Sequence, residues 1–121
     1  MSRSITDDER RLVLKLTGDG FADLDVLRSQ LETCRIINLI EDGIIEFEVV
    51  SPQRFKVPGE TLGEGSFRDV DEVPIILTLL QRAGRLWQLD IYRADGQPMK
   101  TRIDPEKVMS LGYGQGLTLE Y

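Results

Sequence analysis

Apolar positions recur at helical spacing in the first third of the chain and alternate along much of the rest. Leu12, Val13 and Leu16 make a first stripe, placed just after Thr6-Asp7-Asp8-Glu9. That tetrapeptide fits a capping box, in which the Thr6 hydroxyl and the Glu9 carboxylate each satisfy an orphan backbone N–H. A helix is predicted from Thr6 to about Leu16, ended by Gly18-Asp19-Gly20. Leu24, Leu27, Leu31 and Cys34 form a second stripe at spacings of three and four, predicting a helix over Asp23–Thr33. Arg28, Gln30 and Glu32 fall largely outside that stripe.

The period then shortens to two. Arg35–Ile40 and Ile44–Val50 read as strands joined at Glu41-Asp42-Gly43, because Asp-Gly between apolar runs is a strong hairpin signal. Ile45, Phe47 and Val49 face one way, and Glu46 and Glu48 face the other. Residues 51–73 hold two prolines and three glycines, which argue for one irregular strand around Glu60–Phe67 at or near an edge. Ile75–Leu80 is a buried strand, turned at Arg82-Ala83-Gly84-Arg85. Leu86–Arg93 pairs back on it. Leu89 and Ile91 share a face with Trp87 and Arg93, while Gln88, Asp90 and Tyr92 take the other. Asp95-Gly96 supplies the next turn. Pro98–Ile103 reads as a short extended piece, and Asp104-Pro105 as an N-cap and N1 opening one or two turns over Glu106–Ser110.

The predicted fold class is α+β: two N-terminal helices on one face of an antiparallel meander sheet of about five strands. Short links between strands favour antiparallel order. Residues 1–121 form one domain, and the tail 113–121, with Leu117-Thr118-Leu119, either pairs with an edge or stays loose.

Composition narrows the chemistry. Twenty-one acidic against 15 basic residues give a net charge of −6, which disfavours nucleic acid and anionic membranes and suits a basic protein partner. There is no histidine, so Ser-His-Asp and Cys-His constellations are excluded. Cys34 is the single cysteine, which rules out an internal disulfide and fits a small buried hydrophobe better than a nucleophile. The N-terminal residues have no signal-peptide pattern and no apolar run has membrane-span length, so a cytoplasmic protein is expected. Gly63-x-Gly65 and Gly112-x-Gly114-x-Gly116 lack the strand-turn-helix context of phosphate loops and read as turn, bulge or tail glycines. Glu46/Glu48 and Asp69/Asp71/Glu72 are carboxylate pairs of the kind that bind cations or transfer protons, but alternation and loop position make a solvent face the simpler reading. No cofactor, metal or catalytic residue is predicted.

Leu89-Asp90-Ile91-Tyr92-Arg93-Ala94-Asp95-Gly96-Gln97-Pro98 resembles the ending Leu-Glu-Ile/Val-Tyr-Arg-x-Asp-Gly-x-Pro of a family of small, functionally uncharacterised bacterial proteins. Asp90 stands where that ending has glutamate. Thr6–Leu16 and Val26–Cys34 match the family's Glu-Arg-rich first helix and Leu-rich second helix. The resemblance spans roughly residues 5–100 and implies the fold without an activity. In type alone, the chain is similar to immunity proteins of contact-dependent growth inhibition: small, acidic and lacking catalytic residues. The functional expectation is a non-catalytic binding protein that neutralises a basic toxin domain, such as a nuclease. Its expected contacts are Glu60, Glu64, Asp69, Asp71 and Glu72, with Tyr92 or Arg93 as anchor. A carboxylate- or metal-dependent enzyme and an oligomeric housekeeping module are the alternatives.

Overall fold

The Thr6 capping box forms as its sequence requires. Glu9 N–H donates to Thr6 Oγ1 at 3.1 Å, and Thr6 N–H donates to Glu9 Oε1 at 2.8 Å. Helix α1 then runs Asp7–Thr17 and buries Leu12, Val13, Leu16 and Thr17. Helix α2 spans Leu24–Thr33 and buries Leu27, Gln30 and Leu31. This computed structural model describes residues 2–40 and 43–113; Glu41, Asp42 and the tail 114–121, including Leu117-Thr118-Leu119, lie outside the described residues.

The described sheet has seven strands: β1 (Arg3–Ser4), β2 (Arg35–Ile40), β3 (Ile44–Glu48), β4 (Thr61–Arg68), β5 (Pro74–Arg82), β6 (Arg85–Arg93) and β7 (Met109–Ser110). Their order is β1-β2-β3-β6-β5-β4-β7, with every pairing antiparallel. This corrects the expected meander of about five strands in two ways. The two additional strands are two-residue edge strands, too short to leave a period in the sequence. And β3 pairs with β6, not with β4. The link after β3 crosses the end of the sheet, where Phe55 N–H donates to Gly84 O at 2.9 Å and Asp23 Oδ2 accepts from Lys56 and Val57 N–H. Only β4-β5-β6 is a meander, and it returns beside β3.

One face of the sheet packs under the helices. Leu79 stands opposite Leu89 and Gly63, and Leu89 opposite Ile45. Gly63 and Gly65 are there because α1 comes too close for a side chain. A Cβ on Gly63 would sit 2.1 Å from the Leu16 carbonyl oxygen, and one on Gly65 2.7 Å from Leu16 Cδ2. The register also slips between Thr61 and Gly63, so this stretch is bulged as well as closely packed.

Two orientations differ from the sequence expectation. A register shift between Leu80 and Gln81 makes Trp87 the extra residue of a bulge, which sends Leu86 into the core at 2 % exposure. Gln30, expected outside the apolar stripe, is fully buried. Its amide nitrogen donates to the Gln53 and Gly84 carbonyls, each at 2.9 Å, and its oxygen accepts from Leu86 N–H at 2.8 Å. It ties α2, the β3–β4 link and the β5–β6 turn together. Pro98–Ile103 forms no strand, and the turns expected over Glu106–Ser110 reduce to a 3₁₀ turn, Pro105–Lys107, followed directly by β7. Cys34 is buried, and that burial pushes its thiol up to about 12, so it behaves as a small hydrophobe.

Candidate functional site

The predicted contacts do not form one surface. Arg93 and Asp69 are buried, their side chains 3 % and 0 % exposed, which corrects the expectation that both are available as partner contacts. The alternation of β6 places Arg93 on the same side as Leu89 and Ile91, and a guanidinium there needs counter-charges. Three aspartates provide them. Arg93 Nη1 meets Asp69 Oδ2 at 2.9 Å and both Asp71 oxygens at 3.0 Å. Asp95 takes Nε at 3.0 Å and Nη2 at 2.6 Å, a two-point contact. Lys100 adds a second cation, its Nζ 3.1 Å from Asp71 Oδ2.

Backbone donors complete the cluster. Asp69 accepts from Val70 and Lys100 N–H, both at 2.8 Å, and Asp95 from Gln97 N–H at 3.0 Å. The cluster therefore clamps the β4–β5 loop, the turn after β6 and the following segment to one guanidinium. Hydrogen bonds from Arg93, helped by the Gln97 N–H, pull Asp95 down to about 2. Burial pushes Asp69 and Asp71 up, but the Lys100 and Arg93 donors outweigh it and hold both below the ordinary carboxylate range. Hydrogen bonds to Asp95 and Asp69 hold Arg93 firmly protonated. Asp95 and Lys100 were absent from the expected contacts. The signal for them was Arg93 itself, a charge at core parity with aspartates in the flanking turns.

The remaining expected contacts scatter. Glu60 is exposed, and its carbonyl accepts from Gln81 N–H at 2.8 Å. Glu72 is exposed beside Arg68, 3.9 Å away. Glu64 and Tyr92 lie on the sheet face opposite the helices, Tyr92 at 49 % exposure. On that face Glu46 stands opposite both Asn38 and Gln88, with Leu80 beyond. The adjacent row runs Ile44, Asp90, Thr78 and Glu64. Among the described residues these two rows carry the carboxylates of Glu46, Asp90 and Glu64. Tyr92 opposite Ile76 borders them.

A cleft of about 1120 Å³ opens between the start of α1 and residues 99–105. Its charged rim is largely paired within itself: Arg3 holds Glu9 at 2.7 Å, and Arg11 lies 3.6 Å from Asp8. Its floor includes Leu12, Ile45 and Ile103. Among the described residues, no group of three or more Cys, Asp or Glu side chains is placed to hold a metal ion. No described helix is long and apolar enough to cross a membrane.

The architecture is that of a two-layer α+β domain whose sheet has one face under helices and one face bare of described helices. The chain belongs to a family described as a domain of unknown function, DUF6984, whose model matches residues 2–103. No curated protein and no solved structure shows significant similarity to it.

Proposed function

We propose that this domain is a non-catalytic, cytoplasmic binding protein, in its most concrete form an immunity protein that neutralises a toxin by direct contact. The observation that carries this reading is the sheet face opposite the described helices, where Glu46 and Asp90 occupy two neighbouring rows beside Tyr92 and Glu64 shares the row of Asp90. A band of carboxylates bordered by an aromatic anchor complements a basic cleft such as a nuclease toxin carries. The net charge of −6 adds long-range steering toward such a partner. The carboxylates at 69, 71 and 95 support the non-catalytic part. All three are held below the usual range, the opposite of what a proton donor at neutral pH needs.

The contact set moves accordingly, from the 69–72 loop to Glu46, Glu64, Asp90 and Tyr92. The test is calorimetry of the purified domain with the toxin domain encoded beside its gene, together with protection of cells expressing that toxin. Tight binding and protection are expected, both weakened at least tenfold by Glu46→Lys with Tyr92→Ala. A toxin domain that neither binds nor is neutralised overturns the reading. Full binding by the double variant moves the surface elsewhere.

A further inference from the structure

We infer that the β5–β6 turn is a second recognition surface, built to take a short acidic segment of a protein. Arg82 and Arg85 are directly opposed across a two-residue turn. Like charges in that position destabilise a hairpin. Arg54 joins them from the β3–β4 link, packed so closely that a Cβ on Gly84 would lie 2.9 Å from its own Cβ. Lys56 follows two residues on and is exposed. Among the described residues none of these four cations forms an ion pair. Two arginines opposed across a tight turn, with no ion-pair partner among the described residues in a chain of net charge −6, are a local conflict that an incoming anion relieves.

The groups are also held in place before any ligand arrives. The Arg82 guanidinium lies 3.7 Å from the centroid of the Trp87 ring, so its orientation is set by stacking. Arg54 Nη1 donates to the Ser51 and Gln53 carbonyls. The turn beneath them is anchored through the Gly84 carbonyl, which accepts from Gln30 and from Phe55 N–H. Rigid guanidinium groups with open donors suit planar carboxylates. The size of the patch selects the ligand class. A long polyanion such as nucleic acid would run past the turn onto an acidic molecule, within the roughly 8 Å reach of charge at physiological salt. A segment of a few Asp or Glu residues would not. This surface rests on residues other than Glu46, Glu64, Asp90 and Tyr92, and stands whether or not that band binds a toxin.

Trp87 is the single tryptophan and sits against Arg82, so its emission reports on the site. The experiment titrates the full chain with a hexaglutamate peptide, read by Trp87 fluorescence and by calorimetry at low and physiological salt. A saturable response that weakens with salt is expected. Arg82→Gln with Arg85→Gln should lower affinity by roughly tenfold or more, with circular dichroism and melting temperature nearly unchanged. Absence of both heat and fluorescence change at low salt overturns the inference, as does equal affinity in the double variant. A single-stranded oligonucleotide that binds more tightly than hexaglutamate, through the same arginines, overturns the assignment to an acidic peptide.

Discussion

The two ends of the central strands gather charge in opposite ways. At the β4–β5 loop end, Arg93 is surrounded by Asp69, Asp71 and Asp95, and its three nitrogens are all engaged. At the β5–β6 turn end, Arg54, Arg82 and Arg85 meet no carboxylate among the described residues. The difference is burial. A guanidinium at a core position cannot remain without counter-ions, so the loops around Arg93 are shaped by electrostatics. The turn end is wet, and its order comes from neutral groups: the Gln30 amide, the Gly84 carbonyl and the Trp87 ring. Charge therefore serves structure at one end and stays available for recognition at the other.

The sharpest way to break this comparison is to remove one arginine from each end. Arg93→Met leaves Asp69 with a fully buried carboxylate and no cation. Thermal unfolding should show its melting temperature falling by roughly 10 °C or more, or no folded protein at all. Arg82→Met should change it by no more than about 2 °C, because an exposed stacked cation contributes little. Equal losses from the two variants would erase the distinction between the ends. The same logic withdraws any expectation that Asp69→Ser is harmless, as it would be for an exposed loop aspartate.

Gln30 offers the next test, at the turn end. Gln30→Leu leaves the buried Leu86 N–H without its acceptor and removes one donor each from the Gly84 and Gln53 carbonyls. A loss of about 2–3 kcal/mol is expected in denaturant unfolding, since an unsatisfied buried polar group costs about 1–3 kcal/mol. If the loss is under about 0.5 kcal/mol, neutral hydrogen bonds do not hold this end.

Acid separates the ends without a mutation. Asp95 is pulled down to about 2 in the folded chain, below the ordinary value of about 3.9. A lowered folded pKa gives stability that is present above the unfolded value and lost as pH falls through the folded one. Stability should therefore decline from about pH 5 toward pH 2. Asp95→Asn should flatten part of that decline, whereas Arg82→Gln should leave its shape unchanged. Unfolding curves across that range decide the matter. An identical acid profile in Asp95→Asn would show that other carboxylates carry it.

Local features were legible in the sequence because their causes are local. Thr6 and Glu9 announce the first helix, and Leu27 and Leu31 mark the buried side of the second. Alternation through Leu89 and Ile91 gave a strand and already placed Arg93 toward the core. What the chain order hides is partnership at a distance. Arg93 finds Asp69 across 24 residues, and β3 finds β6 across the whole β4–β5 hairpin. Bulges hide as well: one extra residue at Trp87 moves Leu86 inward, and period-2 reading has no means to see it. Gln30 departs from expectation because polarity does not dictate exposure: a glutamine can be buried when every polar atom has a backbone partner. Asp69 departs from expectation in the same way, whereas Asp71 and Glu72 beside it are exposed as a loop position implies.

The smallest expected effect concerns a feature the two ends share. Each turn holds one non-glycine residue at positive φ, Glu72 at 70° and Ala83 at 53°. Side chains with a Cβ disfavour that region by about 1–2 kcal/mol. Glu72 is held there by the loop that serves Arg93, where Glu72 N–H donates to the Asp69 carbonyl at 2.9 Å. Ala83 is followed by Gly84 at φ 76°, so both central residues of the two-residue turn have the positive φ of a type I′ hairpin. Asn-Gly is the sequence that geometry favours, because asparagine tolerates the left-handed region. Ala83→Asn should thus stabilise the chain by about 0.5–1 kcal/mol, or roughly 2–5 °C in melting temperature. Trp87 emission and hexaglutamate affinity should stay as they are, since neither the Arg82 stack nor the turn's anchors are touched. A melting temperature that does not rise would mean the Ala83 strain is already relieved by its surroundings. A rise accompanied by weaker peptide binding would mean that the strained turn itself helps to present the arginines, and that recognition at this end depends on backbone as well as charge.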